Sequence, residues 1–280
     1  MVAIRSYFEI IASQRKPITF LASRVLMRSG LCRLLTIKQE GFRLRFYPSS
    51  LSADLWIAPR SRQRDGQFFR RYLRPGEIMI DVGANIGTLS IVGALAVGPQ
   101  GRVFAVEAHP RTAEFLRGNV VLNGLTNVEV LLCALGTRTG KARLTDRRSD
   151  DQNRMSANEG VEVPLRRLDD VRLPPSDISL LKIDVEGYEK LVLEGAARVL
   201  ERTQCVYFES WEQHFSNFGY STSDVLALLA SSGFTCLKRR DDESLRIVSA
   251  DYRSSRCENL LAVRSVPQLC ERTRWTVKAQ

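Results

Sequence analysis

From about Gly76 onward, short apolar runs alternate with longer stretches of helical period, the pattern of βαβ units feeding a parallel sheet. Ile78-Met79-Ile80 reads as a strand ending in Asp81 and a glycine loop, with a helix of small residues from Ile86. Gly101 to Val106 is the next strand, closed by Glu107; Pro110 suits a first helical position and Asn123-Gly124 supplies a stop. Val128 to Ala134 and Ile178 to Asp184 are the third and fourth core strands. Between them lie an aperiodic polar loop at 145–160 and an alternating strand from Val161 to Leu165. The helix after Asp184 is expected to turn Tyr188, Leu191, Val192, Gly195, Val199 and Leu200 inward. Glu189, Lys190, Glu194 and Arg198 fall on its opposite, polar face. Gln204 to Glu209, a helix over 222–232, Phe234 to Lys238 and Glu258 to Val263 complete the series. The fold class is α/β: a doubly wound, mostly parallel, seven-stranded Rossmann-like sheet over residues 73–265. An α/β extension (1–72) precedes it, with helices in 4–29 and a strand or hairpin at 37–47, and a tail (266–280) follows.

Composition narrows the class. With 44% hydrophobic and 26% charged residues in 280, the chain is an ordinary globular one. Its six cysteines form no Cys-x-x-Cys pair, and two histidines argue against a Cys/His zinc site. Scattered thiols without a secretory signal point to a reducing, cytoplasmic setting. Ile86 to Val97, the longest apolar stretch, is well short of the roughly 20 residues that span a bilayer, and Arg15, Lys16, Arg24 and Arg28 interrupt any signal-peptide core.

The net charge of +10 is concentrated at the front, where residues 1–74 hold fifteen Lys/Arg against four Asp/Glu. Such an appendage docks on nucleic acid, anionic lipid or phosphate-bearing substrates, or is simply a solvated arginine-rich surface. No RNA-binding module is recognisable, so there is no strong nucleic-acid signal. Ile4-Tyr7-Phe8-Ile11 and Phe20-Leu21-Val25-Leu26, flanked by arginines, either touch an anionic membrane peripherally or, the default, pack on the main domain. The pattern sets no oligomeric state.

The candidate chemistry centres on Asp81-Val82-Gly83-Ala84-Asn85-Ile86-Gly87. Gly83 permits a tight turn and close ligand approach, and Gly87 lets the helix pack closely on the strand. The N–H groups of the helix start can meet a carboxylate. Glu107, twenty residues beyond Gly87 at the tip of the second strand, can accept ribose hydroxyls. The dinucleotide fingerprint requires G-x-G-x-x-G, whereas this loop has Asn at 85 and Gly-x-x-x-Gly spacing. That spacing favours S-adenosylmethionine over NAD; the alternative is a tight βα turn that binds nothing.

Ile80 to Thr88, together with Leu181-Lys182-Ile183-Asp184-Val185-Glu186-Gly187-Tyr188-Glu189, resembles the FkbM family of methyltransferases, as do Val192 to Ala196 and Glu258 to Ala262. The resemblance covers about residues 76–264. It implies a methyltransferase sheet that uses S-adenosyl-L-methionine to methylate an oxygen, often on a sugar or polyketide, so the expected partner is a small-molecule or glycan acceptor. Mapped through it, Asp81, Gly83, Asn85 and Gly87, with Ala84 in the same loop, form the methionine pocket. Glu107 holds the ribose, Cys133 and Ala134 lie beside the adenine, and Asp184 faces the sulfonium. A carboxylate there suits a cofactor that loses its positive charge on transfer. The chain has Asp184-Val185-Glu186-Gly187 where amine methyltransferases commonly carry Asn/Asp-Pro-Pro-aromatic, which favours oxygen.

A hydroxyl is a poor nucleophile at neutral pH, so a base or metal should assist. Asp184, Glu186, Glu209 and His214 are candidates, with catalytic roles assigned to Asp184, Glu186 and His214. The plainer readings are a surface histidine and, for Glu186, a charge stabilised at a helix start. Asp184 and Glu186 lack an identifiable third ligand, so no metal is assigned. Tyr207, Phe208, Trp211, Phe215, Phe218 and Tyr220 offer an aromatic platform for an acceptor, with core packing the default for the first two.

Overall fold

The computed structural model describes residues 16–145, 155–156 and 159–278; the apolar stretch Ile4 to Ile11 lies outside them. Pro17 opens helix α1 (Pro17–Ser29), and Gly30, in the left-handed conformation, ends it by donating its N–H to Met27. The expected strand or hairpin is β1 (Thr36–Lys38) and β2 (Arg43–Arg45), where buried Ile37 and Leu44 sit opposite each other. Helices α2 (Ser50–Ile57) and α3 (Gln63–Tyr72) follow, the latter burying Phe68, Phe69 and Tyr72.

The sheet begins with β3 (Ile78–Val82), α4 (Thr88–Val97), β4 (Arg102–Glu107), α5 (Pro110–Leu122) and β5 (Val128–Leu132). It resumes at β10 (Ile178–Ile183), after a smaller sheet made of β6 (Ala134–Leu135), β7 (Gly140–Leu144), β8 (Met155–Ser156) and β9 (Val161–Arg166). Next come α6 (Glu189–Glu194), α7 (Ala197–Glu201), β11 (Thr203–Ser210), α8 (Glu212–Ser216), α9 (Thr222–Ser231), β12 (Thr235–Arg239), β13 (Leu245–Ile247), β14 (Glu258–Val263) and α10 (Val266–Thr273). The strand order is β13-β12-β14-β11-β10-β3-β4-β5. Strands β5, β4, β3, β10 and β11 are parallel, and β14 runs antiparallel between β11 and β12.

Seven of these strands are the expected ones. The eighth, β13, is a three-residue edge strand that exists through its pairing with β12, and its own pattern is too short to announce it. The run expected as one strand to Ala134 stops at Leu132, and β6 turns away to pair with β9. The helix expected over 188–200 breaks at Gly195, where a Cβ would lie 2.0 Å from the Gly136 carbonyl oxygen. It restarts as α7 because Asp169, from a distant loop, accepts the N–H groups of Arg198 (3.2 Å) and Val199 (3.0 Å).

Every residue of β3 and β10 is buried, as strands covered on both faces require. Ile78, Ile80 and Val82 pack toward α6, α7 and α9. Met79, Leu180 and Cys205 pack on the other face with α3 and α4. Cys32, Leu44 and Phe46 of the extension, and Leu269 and Trp275 beyond residue 265, belong to that second core. Arginines tie the extension down: Arg64 to Asp241 (2.7 Å), Arg71 to Glu243 (2.8 Å), and Arg74 to the Arg272 carbonyl (3.1 Å). A good part of the front-loaded charge is thus engaged within the chain. Among the described residues, no helix is long and apolar enough to cross a membrane.

Gly76 and Gly83 both have left-handed φ (86° and 74°), but a Cβ on Gly76 meets nothing within 4 Å whereas one on Gly83 lies 1.9 Å from the Asp184 carbonyl oxygen. Gly76→Ala should therefore cost about 1 kcal/mol in urea denaturation, the left-handed penalty alone. Gly83→Ala should cost roughly 1–3 kcal/mol more, because the strand-to-loop packing must also open.

Candidate functional site

The carboxyl ends of β3, β4 and β10 open into a cleft, where a parallel sheet leaves its loops free to receive a ligand. Gly83 and Ala84 both donate N–H to the Val106 carbonyl at 3.0 Å, which folds the glycine loop over the end of β4. Asn85 takes a left-handed φ of 51°, and its side-chain oxygen accepts the Ile86 N–H at 2.7 Å. Gly87 packs the loop on α5: a Cβ there would sit 2.3 Å from Leu116 Cδ1. Thr88 then starts α4 and lines the cleft, and its buried Oγ1 has no hydrogen-bond partner among the described residues.

Gly83, Ala84, Asn85, Glu107, Cys133, Ala134, Asp184 and Glu186 all line this cleft; Asp81, Gly87 and His214 do not. The Glu107 carboxylate accepts the N–H groups of Asn85 and His109, each at 2.8 Å, which fixes it at the rim. Beside Cys133 and Ala134, an apolar wall of Leu135, Leu144 and Met155 comes from the small sheet. That sheet was not legible as part of the site: β8 falls in the stretch that reads as polar loop, β9 reads as a strand with no partner, and β6 reads as the end of the third core strand. Leu51 and Arg62 reach the cleft from the extension, in which sequence reasoning found no chemistry.

Asp81 is fully buried. Ser90 donates to its Oδ2 at 2.5 Å, and Lys182 Nζ lies 3.0 Å from its Oδ1. Lys182 is the important residue that sequence reasoning passed over. It stands opposite Asp81 in the β10–β3 register, donates to the Gly83 carbonyl at 2.8 Å, and lies 3.7 Å from Asp184. Burial works against its charge, but the carboxylates of Asp81 and Asp184 outweigh that and hold the lysine pKa up. A lone lysine in an apolar strand, two residues before an aspartate on the same face, was the available signal. Burial raises the pKa of Asp184, with Lys182 partly opposing.

The segment after β10 brings Glu186 and His214 together. Glu186 has a left-handed φ of 56°, and Gly187 one of 97°. A Cβ on Gly187 would lie 2.8 Å from the His214 carbonyl oxygen, so glycine lets α8 approach. His214 Nδ1 is 3.6 Å from both Glu186 and Glu209. Glu209 in turn accepts from Cys257 Sγ at 3.0 Å.

Glu189 is a correction to the expected helix face: it is fully buried, not solvated. Its Oε1 accepts the Val185 N–H (2.9 Å) and the Gly187 N–H (3.4 Å), closing the turn, while Oε2 is buried without a hydrogen-bond partner among the described residues. Helical periodicity places it outward, but it lies on the first turn, where the chain folds back over it. Of the aromatic cluster, Phe208 and Phe215 are core and Tyr207 donates to Asp65. None of the six lines the cleft; Tyr188, in contact with Phe218, does.

A glycine loop after the first strand and an acid ending the second, on a doubly wound sheet, define an enzyme fold for a nucleoside-type cofactor. The chain belongs to the FkbM methyltransferase family: residues 81–236 match the Methyltransferase FkbM domain. It is 28% identical over 200 residues to methyltransferase sdnD of Sordaria araneosa, covering 58% of this chain and 75% of that one. It is also 28% identical over 205 residues to the 31-O-demethyl-FK506 methyltransferase FkbM of Streptomyces tacrolimicus, covering 60% and 76%. A 56-residue stretch is 41% identical to a probable cobalt-precorrin-6B C(15)-methyltransferase of Sulfolobus acidocaldarius, spanning 20% of this chain and 29% of that protein. Among solved structures, a SAM-dependent O-methyltransferase of Thermotoga maritima is 18% identical with a TM-score of 0.44, covering 77% of this chain and 71% of that one.

The cofactor of the family is S-adenosylmethionine, and the residues present fit it. The orphaned Thr88 hydroxyl and the start of α4 suit the methionine carboxylate, Glu107 the ribose, and the apolar wall by Cys133 the adenine.

Burial pushes the Glu189 carboxyl up to about 8 from the ordinary 4.5, against the opposing hydrogen bond from Val185. Between those values the folded chain holds a proton that the unfolded chain releases. Its contribution to stability is therefore full below about pH 4.5 and lost as pH rises through about 8. Glu189→Gln should flatten this fall relative to the parent in urea denaturation across that range.

Proposed function

We infer that this chain transfers the methyl group of S-adenosylmethionine to a hydroxyl oxygen of a carbohydrate or another small hydroxylated metabolite. The observation that carries the reading is the cluster of Asp184, Glu186, Glu209 and His214 beside the cleft: proton-accepting and polarising groups of the kind an alcohol acceptor needs. When bound, the cofactor supplies an electrophilic methyl on a sulfonium, which departs as a neutral thioether. Asp184 borders the cleft and is raised by burial, so it is a stronger base than an ordinary carboxylate; it takes the hydroxyl proton as the new O–C bond forms. Lys182, held by Asp81, fixes Asp184 in place and steadies the Gly83 carbonyl. The relative named for O-demethyl-FK506 supports an oxygen acceptor. A cytoplasmic setting agrees with six free cysteines, four of them buried.

Calorimetry should show S-adenosylhomocysteine binding, weakened about tenfold or more by Glu107→Ala, the size expected for lost hydrogen bonds to a charged group. Asp184→Asn should bind it normally yet transfer labelled methyl to hydroxyl acceptors roughly 100-fold more slowly. Label found only on amines, or no cofactor binding, sinks the reading.

Peripheral contact with an anionic membrane belongs to the same proposal. Phe20 of α1 faces the core, while Ile18 (82% exposed) and Val25 (67%) stand outward near Arg24 and Arg28. Flotation with phosphatidylserine vesicles should carry the protein along, and Ile18→Glu with Val25→Glu should release it; a parent that stays in solution refutes the contact.

A further inference from the structure

We propose that Glu186, Glu209 and His214 bind a first-row divalent transition-metal ion at the edge of the cleft. Each offers one ligand atom, and the three atoms lie within 4.8 Å of one another. They come from three elements: the loop after β10, the end of β11 and helix α8. The sequence showed Asp184 and Glu186 without a third ligand; the fold supplies one carboxylate and one imidazole from 23 to 28 residues further on.

The spacing favours an ion over a hydrogen bond. His214 Nδ1 is 3.6 Å from Glu186 Oε2 and 3.6 Å from Glu209 Oε2, just beyond hydrogen-bond range, and the buried nitrogen has no hydrogen-bond partner among the described residues. Two ligand atoms about 2.1 Å from one ion, roughly 110–120° apart, are separated by about 3.4–3.6 Å. Two carboxylates and a neutral imidazole balance a dication, and that donor set suits Mn²⁺, Fe²⁺ or Zn²⁺ better than Ca²⁺.

The surroundings orient the ligands. Cys257 Sγ donates to Glu209 Oε1, leaving Oε2 turned to His214. The Trp211 ring lies 4.2 Å from the imidazole. Gly187 admits the His214 backbone, and Glu189 clamps the turn that carries Glu186. Glu186 itself lines the cleft, so an ion there reaches an acceptor. Its use rests on the functional reading above: it would hold the acceptor oxygen and ease loss of its proton to Asp184. Its existence does not.

The test is titration of the metal-free full chain, without methyl donor, with Mn²⁺ followed by electron paramagnetic resonance and with Co²⁺ followed by visible absorption. One ion per chain is expected. Glu209→Gln combined with His214→Ala should weaken binding by at least about 100-fold, and Cys257→Ala by on the order of tenfold. S-adenosylhomocysteine affinity, unchanged in these variants, reports that the fold is intact. No binding of either ion at millimolar concentration, or binding unchanged in the double variant, overturns the site. Metal binding without methyl transfer to any hydroxyl supports the site and overturns the functional reading. Undiminished transfer in a chain that binds no metal does the reverse.

Discussion

The site is organised around one buried cation. Lys182 sits between Asp81 and Asp184 with its ammonium also on the Gly83 carbonyl, where β3 and β10 end side by side. Removing an ammonium and a carboxylate from water costs several kcal/mol each, and their attraction offsets this only when further hydrogen bonds satisfy both groups. Ser90 completes Asp81, and the loop carbonyl completes Lys182. The pair is therefore better understood as fixing geometry than as adding stability. It holds the glycine loop of one strand at a set distance from the acidic end of the next. Gly83 shows how close that contact is, since no side chain fits between it and Asp184.

From this anchor, the segment Asp184 to Glu189 behaves as a rigid bracket. Its two consecutive left-handed residues reverse the chain, and the buried Glu189 carboxyl receives the N–H groups that the reversal leaves unpaired. Tyr220 donates to the Gly187 carbonyl from the other side. The bracket turns Glu186 toward Glu209 and His214 and leaves Asp184 at the cleft. The extension finishes the enclosure, with Leu51 and Arg62 on the rim and its apolar residues in the same core as α4.

Much of the sheet was legible because buried strands and amphipathic helices write their periods locally, and because Gly83 and Gly87 announce a turn and a close packing contact. Glu107 was legible by its distance from that loop. Lys182 was visible as a letter but not as a partner, because its meaning depends on the register between two strands separated by about a hundred residues. Glu189 was misplaced because helical period describes a continuous helix, and this one starts at a reversal that covers its first turn.

By itself the sequence determined the alternation of strands and helices, the glycine loop with its acid, and the family to which the chain belongs. These are properties of neighbouring residues, set by backbone sterics and by burial of one face. Only the tertiary structure decided that Asp81 faces Lys182 rather than the cleft, and that a small sheet walls one side. It alone brought Glu186, Glu209 and His214 within reach of one another. Such contacts depend on strand register, on where a helix breaks and on how closely two glycines let backbones approach, and none of these leaves a period in the chain.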